Sequence, residues 1–254
     1  MDDTDAQVPD ENDDGVPVAR VMALLQHGSL ELEGLMPDSS NYTFLVQLDD
    51  GELQGLGIYK PRRGERPLWD FPRGTLCQRE VAAFLVSEAL GWHLIPPTVL
   101  RDAEPHGFGS VQLVVDADPR AHYFSLQGDF DDAFRQIAAF DVLINNADRK
   151  GGHILLSKEG RIWAIDHGIT FHAEPKLRTV IWEYAGQPLS KAMIDAIAAF
   201  AARLETPGDA LGTSLRDLLD RQELDALRRR AERLLRRPQF PHPGGGRSMP
   251  WPPI

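Results

Sequence analysis

Two short polar clusters in the middle of the chain contain the residue types that phosphoryl transfer requires. The clusters are Asp148-Arg149-Lys150-Gly151-Gly152-His153 and Asp166-His167-Gly168. Phosphoryl transfer needs a carboxylate to orient the attacking hydroxyl, metal ions to bridge the phosphates and a cation to hold them. The clusters supply carboxylates, an imidazole and basic side chains. Taken separately, each cluster is typical of a solvated loop or turn, whereas the two together favour a reactive site.

The segment between the clusters explains how they can meet. It consists of an apolar run at 154–156, a turn at 158–160 that contains glycine, and a second apolar run at 162–165. Two short strands joined by such a turn are typical of a β-hairpin. The hairpin would carry the first cluster into one strand and the second cluster out of the other. We therefore predict that Asp148, His153 and Asp166 face one spot, although the two aspartates are eighteen positions apart.

The run D-R-K-x-x-H, followed by an apolar strand and I-D-H-G, resembles the catalytic and metal-binding loops of phosphatidylinositol 3-/4-kinase-like proteins. Those loops read approximately D-R-H-x-x-N and D-F-G or I-D-x-G. The resemblance, to an actinobacterial branch of the family, covers roughly residues 18–240. It implies that Asp148 is the catalytic aspartate and Asp166 the principal Mg²⁺ ligand. His153 stands where lipid kinases place an asparagine as second metal ligand, and an imidazole suits Mn²⁺ or Zn²⁺ better than Mg²⁺.

The first half of the chain has the pattern of a small sheet with a helix. Strands are predicted at 28–32, 42–48, 53–59, 96–100 and 109–115. Asp49-Asp50-Gly51 is typical of a hairpin turn. A helix is predicted over 76–92, with Thr75 as its N-cap and an apolar stripe along one side.

By the resemblance, these elements would bind the nucleotide. Lys60, at the end of the third strand, would contact the phosphates. Glu80 on the helix would hold this lysine, with Glu88 as the rival. The remaining nucleotide contacts implied by the resemblance are a phosphate-binding turn at Ser39, Ser40 and Asn41, which lacks a G-x-G-x-x-G pattern, and an adenine-binding linker at Gln112, Leu113 and Val114.

The order of elements predicts an α+β, two-lobed protein-kinase-like fold, with a small antiparallel-sheet N-lobe carrying one helix and a mainly helical C-lobe. Helices are predicted at 129–146, 190–203, 214–219 and 222–237. The expected division is a disordered acidic tail at 1–17, the N-lobe at 18–115, the C-lobe at 116–237 and a flexible Pro- and Gly-rich tail at 238–254.

Composition limits the environment and the partners of the protein. Cys77 is the only cysteine, which excludes an intramolecular disulfide and a cysteine-based zinc site. No run of eighteen apolar residues is present and the N-terminus is acidic, so we expect a cytoplasmic protein without a transmembrane segment. Of the net charge of −11, seven acids lie in residues 1–14, which leaves the rest mildly acidic. This balance argues against nucleic acid and against contact with anionic membranes.

A loop at 61–75 concentrates basic and aromatic side chains, and two interpretations of it stay open. Its arginines are Arg62, Arg63, Arg66 and Arg73. They could bind an anionic substrate or a further phosphate. Alternatively, Trp69 and Phe71 pack the loop onto the body of the protein and the arginines are only solvated.

The hypothesis that unites these observations is metal-dependent transfer of the ATP γ-phosphate to a hydroxyl, with Mg²⁺ or Mn²⁺. Arg149 or Lys150 would counter charge in the transition state. The acceptor stays open between a lipid, a protein and a small metabolite, as does the oligomeric state. We expect the acceptor near His172, Lys176 and Arg178. The alternatives are a catalytically impaired pseudokinase acting as a nucleotide-binding switch, motivated by His153, and an interaction scaffold with a degenerate site.

Overall fold

An antiparallel sheet of five strands dominates the first half of the chain. The computed structural model describes residues 15–36 and 41–254, and it orders the strands β1-β2-β3-β5-β4. The strands are β1 (Ser29–Leu35), β2 (Phe44–Asp49), β3 (Gln54–Pro61), β4 (Thr98–Ala103) and β5 (Gly107–Leu113). All four neighbouring pairs are antiparallel, so the predicted strands are confirmed.

Two helices accompany the sheet, one more than the sequence pattern assigned to this lobe. Helix α1 (Val18–His27) packs Val21, Leu24 and Leu25 on the sheet and closes a small core with it. Helix α2 (Leu76–Ala89) lies against β4 and β5. Its buried residues, among them Phe84 and Val86, nevertheless belong to the core of the second half of the chain. Helix α2 therefore joins the two halves.

The second half is mainly helical and contains one hairpin. Its helices are α3 (Tyr123–Leu126), α4 (Asp131–Ile144), α5 (Lys191–Glu205), α6 (Ala210–Leu218) and α7 (Arg221–Arg236). The predicted hairpin is confirmed as β6 (Ile154–Leu156) and β7 (Ile162–Ala164), paired from Ile154↔Ala164 to Leu156↔Ile162. Because α4 ends at Asn145 in a left-handed conformation (φ 56°), the chain turns directly into the first polar cluster.

The segment after residue 237 differs from the predicted flexible tail. Phe240 is buried, and its N–H donates to Gln187 O at 3.0 Å. Further along, Ser248 O accepts from Thr179 N–H at 3.1 Å, and Pro253 O accepts from Gly151 N–H at 2.7 Å. A Pro-rich segment cannot form a helix or a sheet ladder, but its carbonyls remain good acceptors for donors on a neighbouring surface. These carbonyls dock the segment on the helical half.

The predicted acidic tail lies largely outside the described residues, as do Ser39 and Ser40. Over 15–36 and 41–254, no helix is both long and apolar enough to cross a membrane.

Candidate active site

Three predicted residues from distant parts of the chain meet between the sheet and the hairpin. Lys60 ends β3, Glu80 lies in the second turn of α2, and Asp166 follows β7. Lys60 Nζ lies 2.7 Å from Glu80 Oε1 and donates a second hydrogen bond to Asp166 Oδ1. The lysine is thus held between two carboxylates.

Backbone geometry fixes this arrangement. Lys60 pairs with Ser110 in the sheet, and a side chain at Gly109 would lie only 2.5 Å from Lys60 O. Glycine at 109 therefore permits the close approach of the two strands. Glu80 also accepts, through Oε2, the N–H of His167 at 2.8 Å. One glutamate thus bonds both the lysine and the Asp166-His167-Gly168 turn.

Asp166 has a left-handed backbone conformation, with φ at 59°. Aspartate tolerates this region better than most residues with a side chain. This conformation directs the turn back toward α2, where a Cβ at Gly168 would lie 3.4 Å from Glu80 Oε1.

The charges in this cluster stabilise one another. Burial opposes the charged form of Lys60, but the carboxylates of Asp166 and Glu80 outweigh burial and raise its pKa. Burial likewise opposes the charge of Asp166, but Lys60 outweighs it and lowers the pKa of the carboxyl group. The lysine is therefore a cation and the aspartate an anion at neutral pH, as phosphate and metal binding require.

His153 lies beside Asp166 and completes a pair of metal-ligand types. Its Nε2 is 3.5 Å from Asp166 Oδ2. Burial lowers the pKa of His153 to about 4, so the imidazole is neutral and can offer a lone pair to a metal at neutral pH. No group of three or more metal-ligand side chains occurs in the ranges 15–36 and 41–254. The two side chains fit a cation that takes its other ligands from phosphates and water, as Mg²⁺ usually does.

Asp148 and Lys150 lie at the entrance to the same cluster. Lys150 Nζ is 3.3 Å from Asp148 Oδ2. Burial raises the pKa of Asp148, against the opposing effect of Lys150, and the charge of Asp166 raises it further. A carboxylate with a raised pKa is a better acceptor for the proton of a hydroxyl group.

Arg149 is placed apart from this group. Its side chain is fully buried (0% exposed) and pairs with Asp141 at 3.0 Å. The guanidinium also donates to Ile165 O at 3.0 Å and lies 2.6 Å from His167 Nε2. With its donors used in this way, Arg149 cannot reach a transferring phosphate. Of the two basic residues predicted to counter charge, only Lys150 is available.

The sequence gives 42% identity over 265 residues to protein Rv2133c of Mycobacterium tuberculosis, covering 91% of this chain and 94% of the mycobacterial protein. The chain belongs to the family of Rv2133c. No family model matches the sequence.

The chain, a relative of Rv2133c, has a kinase-like fold. Golgi casein kinase superposes with a TM-score of 0.55 at 14% identity, covering 89% of this chain and 74% of the kinase. Hydra Fam20 gives a TM-score of 0.53 at 14% identity, covering 88% of each chain. The Helicobacter pylori proinflammatory kinase CtkA gives 0.50 at 12% identity, covering 85% of this chain and 94% of the kinase. The predicted kinase-like fold is confirmed, whereas a specific relation to phosphatidylinositol kinases stays a proposal.

The predicted adenine-binding linker is only partly free for a ligand. Leu113 N–H donates to Pro97 O and Val114 N–H donates to Leu56 O, both at 2.9 Å. Gln112 is buried in β5 and its side chain donates to Thr98 Oγ1 at 2.8 Å. The backbone N–H groups of Leu113 and Val114 are therefore used within the protein, and the contact of this linker with adenine stays a prediction.

The one described residue of the predicted phosphate-binding turn is bonded to the loop after β3. Asn41 Oδ1 accepts from Arg66 N–H at 2.8 Å. Ser39 and Ser40 lie outside the described residues, so their predicted role stays a prediction.

Sequence reasoning missed the residues that support the cluster from behind. Asp141 is a fully buried acid on α4, and His167 is a fully buried imidazole whose pKa burial lowers well below its usual range. Arg79 is buried as well and donates to Thr170 O at 2.7 Å and to Glu223. The available signal was Asp141, a carboxylate within the apolar pattern of a helix, because buried acids almost always have a partner.

Proposed function

We propose that the protein is an ATP-dependent phosphotransferase that transfers the γ-phosphate of ATP to a hydroxyl acceptor with the help of Mg²⁺ or Mn²⁺. The observation that carries this proposal is the meeting of Lys60, Glu80 and Asp166 from three separate elements. A purely structural role does not require a lysine between two carboxylates beside a third, Asp148. The kinase-like fold supports the proposal, and a fold neighbour, the Golgi casein kinase, has been solved with Mn/ADP bound.

Each residue has a role in this proposal. Lys60, held by Glu80, positions the phosphates. Asp166 and His153 hold the divalent cation, which neutralises phosphate charge when bound. Asp148 orients the acceptor hydroxyl and takes its proton, and Lys150 counters negative charge in the transition state.

The pairing of Lys60 with Asp166 suggests an exchange of partners on binding. A cation held by Asp166 would draw this carboxylate away from Lys60, to which its Oδ1 is now bonded. Phosphate oxygens arriving with the cation would give Lys60 a replacement partner. Nucleotide and metal binding would therefore be mutually reinforcing.

The class of acceptor is the finer part of the proposal. The resemblance to phosphatidylinositol 3-/4-kinases favours a hydroxyl on an inositol lipid, and the same chemistry serves a protein or a small metabolite. Part of the segment expected to meet the acceptor contacts the loop after β3, since Lys176 Nζ lies 2.9 Å from Asp70 Oδ2.

A nucleotide-binding switch without turnover is the second candidate. The observation in its favour is His153, which supplies nitrogen where Mg²⁺ prefers oxygen. The Lys60–Asp166 pair also competes with metal binding at the only carboxylate that contacts His153 in the described ranges.

A single assay separates the candidates. Purified protein is incubated with γ-labelled ATP and either Mg²⁺ or Mn²⁺, and hydrolysis and autophosphorylation are compared with Asp148→Asn. The transferase predicts turnover that falls by about 10²–10⁴-fold in Asp148→Asn, with nucleotide binding retained. Thermal protection by ATP without turnover under either metal supports the switch. If ATP gives no protection at all, both candidates fail.

A further inference from the structure

Four arginines of the loop between β3 and α2 have no side-chain partner within residues 15–36 and 41–254, unlike many other arginines of this chain. Elsewhere, for example, Arg20 pairs with Asp50, Arg149 with Asp141 and Arg203 with Asp209. The four, which we call the loop arginines, are Arg62, Arg63, Arg66 and Arg73. Over the ranges that the structure describes, none of their guanidinium groups forms a hydrogen bond or an ion pair. All four side chains are exposed, so they form a local concentration of positive charge in a chain whose net charge is −11.

The loop arginines line one cavity of about 380 Å³. Among the described residues of its lining Glu65 is the one acid, so these residues together carry a formal charge of +3. That glutamate is already used by the protein, because Glu65 Oε1 accepts the N–H of Cys77 in the first turn of α2 at 2.9 Å. The cavity is therefore a concave, positively charged surface, large enough for a small anionic group.

The cavity adjoins the candidate active site. Leu76 contributes to its wall, and the Leu76 Cβ is 3.4 Å from the position that a Cβ would take at Gly168. Phe71, also in the wall, packs edge-on against His172 at 5.1 Å between ring centroids. One end of the cavity is thus next to the Asp166-His167-Gly168 turn, and another is next to the segment where we expect the acceptor.

The loop itself is held in place across the two halves of the molecule. Asp70 O lies 2.9 Å from His172 Nε2, and the Asp70 carboxylate pairs with Lys176. Arg79 lies 5.0 Å from the centre of the Phe71 ring. The packing of Phe71 agrees with the second interpretation of this loop made from the sequence, whereas anion binding by the arginines stays a prediction. Trp69 is 92% exposed, and its one recorded contact is with Lys176, whose Nζ lies 5.2 Å from the centre of the ring.

We propose that the loop arginines bind a phosphate monoester carried by the acceptor, next to the hydroxyl that is phosphorylated. The inference rests on the proposed phosphotransferase function and deepens it. Guanidinium groups match phosphate oxygens in a forked, bidentate geometry, and a dianion is needed to offset a lining of this charge. A neutral hydroxyl acceptor would gain nothing from the arrangement.

The test measures binding without nucleotide, so that it does not depend on turnover. Glycerol 3-phosphate is titrated calorimetrically into wild type and into the double variant Arg66→Gln/Arg73→Gln, and vesicles of phosphatidylcholine with and without phosphatidic acid form a second arm. The control is Arg229→Gln/Arg233→Gln, which removes two exposed, unpaired arginines of α7. We expect saturable binding that weakens at least tenfold in the loop variant, since hydrogen bonds to charged groups are the strong ones, and that is unchanged in the control.

The two arms identify the source of the phosphate. Binding to glycerol 3-phosphate indicates a free phosphorylated metabolite, and binding to phosphatidic acid vesicles alone indicates a lipid. Absence of binding in both arms, or an equal loss in both double variants, would overturn the inference. If Arg66→Gln/Arg73→Gln does not fold, as judged by circular dichroism, Arg66→Gln alone replaces it.

The outcome also separates this inference from the proposed function. Arginine-dependent phosphate binding in a protein that never turns over ATP would support the pocket and reject the phosphotransferase. ATP turnover together with phosphate binding that is unchanged in Arg66→Gln/Arg73→Gln would support the phosphotransferase and reject the pocket.

Discussion

At the scale of single residues, Glu80 has the most demanding position in the site. It holds Lys60 with one oxygen and the backbone of His167 with the other. Its rival from the sequence pattern, Glu88, lies on the same helix but binds His93 at 2.9 Å. The two glutamates therefore form a natural pair of test and control.

We predict that Glu80→Gln lowers kcat/KM for ATP by about 10–100-fold, because hydrogen bonds to charged groups contribute roughly 1.5–3 kcal/mol. Glu88→Gln should leave kcat/KM within about twofold. Steady-state kinetics with the acceptor-independent hydrolysis reaction measure both values. Equal effects of the two substitutions would contradict the assignment of Glu80.

His153 gives the metal-free protein a dependence of stability on pH. The folded-state pKa is about 4, below the unfolded value of about 6.5. The unfolded state therefore binds more protons between these values, and the stability of the protein falls as the pH is lowered from 6.5 toward 4. We predict that this imidazole lowers the free energy of unfolding of wild type by about 3 kcal/mol between pH 6.5 and 4, and that His153→Gln does not show this decrease.

This prediction is measured as the difference in the free energy of urea unfolding between wild type and His153→Gln at several pH values, with chelator present. Taking the difference cancels the titration of other groups. A difference that does not change between pH 6.5 and 4.5 would show that the imidazole titrates normally.

At the scale of elements, Arg149 connects three of them. It joins the first polar cluster, residues 148–153, to α4 through Asp141 and to the Asp166-His167-Gly168 turn through His167 and Ile165 O. We predict that Arg149→Ala destabilises the protein by about 3–5 kcal/mol, because it leaves the buried Asp141 carboxylate without its partner. Arg229→Ala, at an exposed position, should stay within about 0.5 kcal/mol of wild type. Chemical denaturation measures both, and a small effect at Arg149 would show that the fold does not depend on the Arg149–Asp141 pair.

The docked C-terminal segment contacts the first polar cluster, residues 148–153, through Gly151. Deletion of residues 251–254 removes the acceptor for Gly151 N–H, whereas the contacts of Ser248 with Thr179 and Trp182 stay in place. We predict that this deletion lowers kcat with little change in global stability. Deletion of 248–254 should lower kcat and also lower the free energy of unfolding by about 1–3 kcal/mol. Turnover and thermal unfolding of the two truncated proteins test this. Unchanged turnover in both would mean that the loop keeps its conformation without the segment.

At the scale of the whole molecule, the two halves are joined through α2. Its apolar residues complete the core of the helical half, and the buried Arg79 pairs with Glu223 on α7. Since Glu80 is the residue that follows Arg79 in the chain, the position of the Lys60–Glu80 pair depends on this junction.

We predict that sheet and helices unfold in a single cooperative transition. Hydrogen exchange should show protection lost at the same denaturant concentration in β2 and β3 as in α4 and α5. Arg79→Met should separate the two transitions, with the sheet exchanging first because its own core is the smaller. Separate transitions in wild type would contradict the coupling.

The sequence by itself determined the elements of the fold and the candidate residues of the site. Lys60, Asp148, His153 and Asp166 were identifiable because few residue types bind phosphate or metal, and because the alternation of apolar and polar residues reveals strands, helices and the hairpin without knowledge of their packing. These properties are local, and local patterns survive folding.

Only the tertiary structure decided which charged groups are free and which are used. Arg149 and Lys150 are neighbours in sequence, yet one is buried on Asp141 and the other faces the site. The same applies to the choice of Glu80 over Glu88 and to the docking of residues after 237. Burial and pairing depend on partners that are distant in sequence, and the energy of a charge depends on its surroundings more than on its identity.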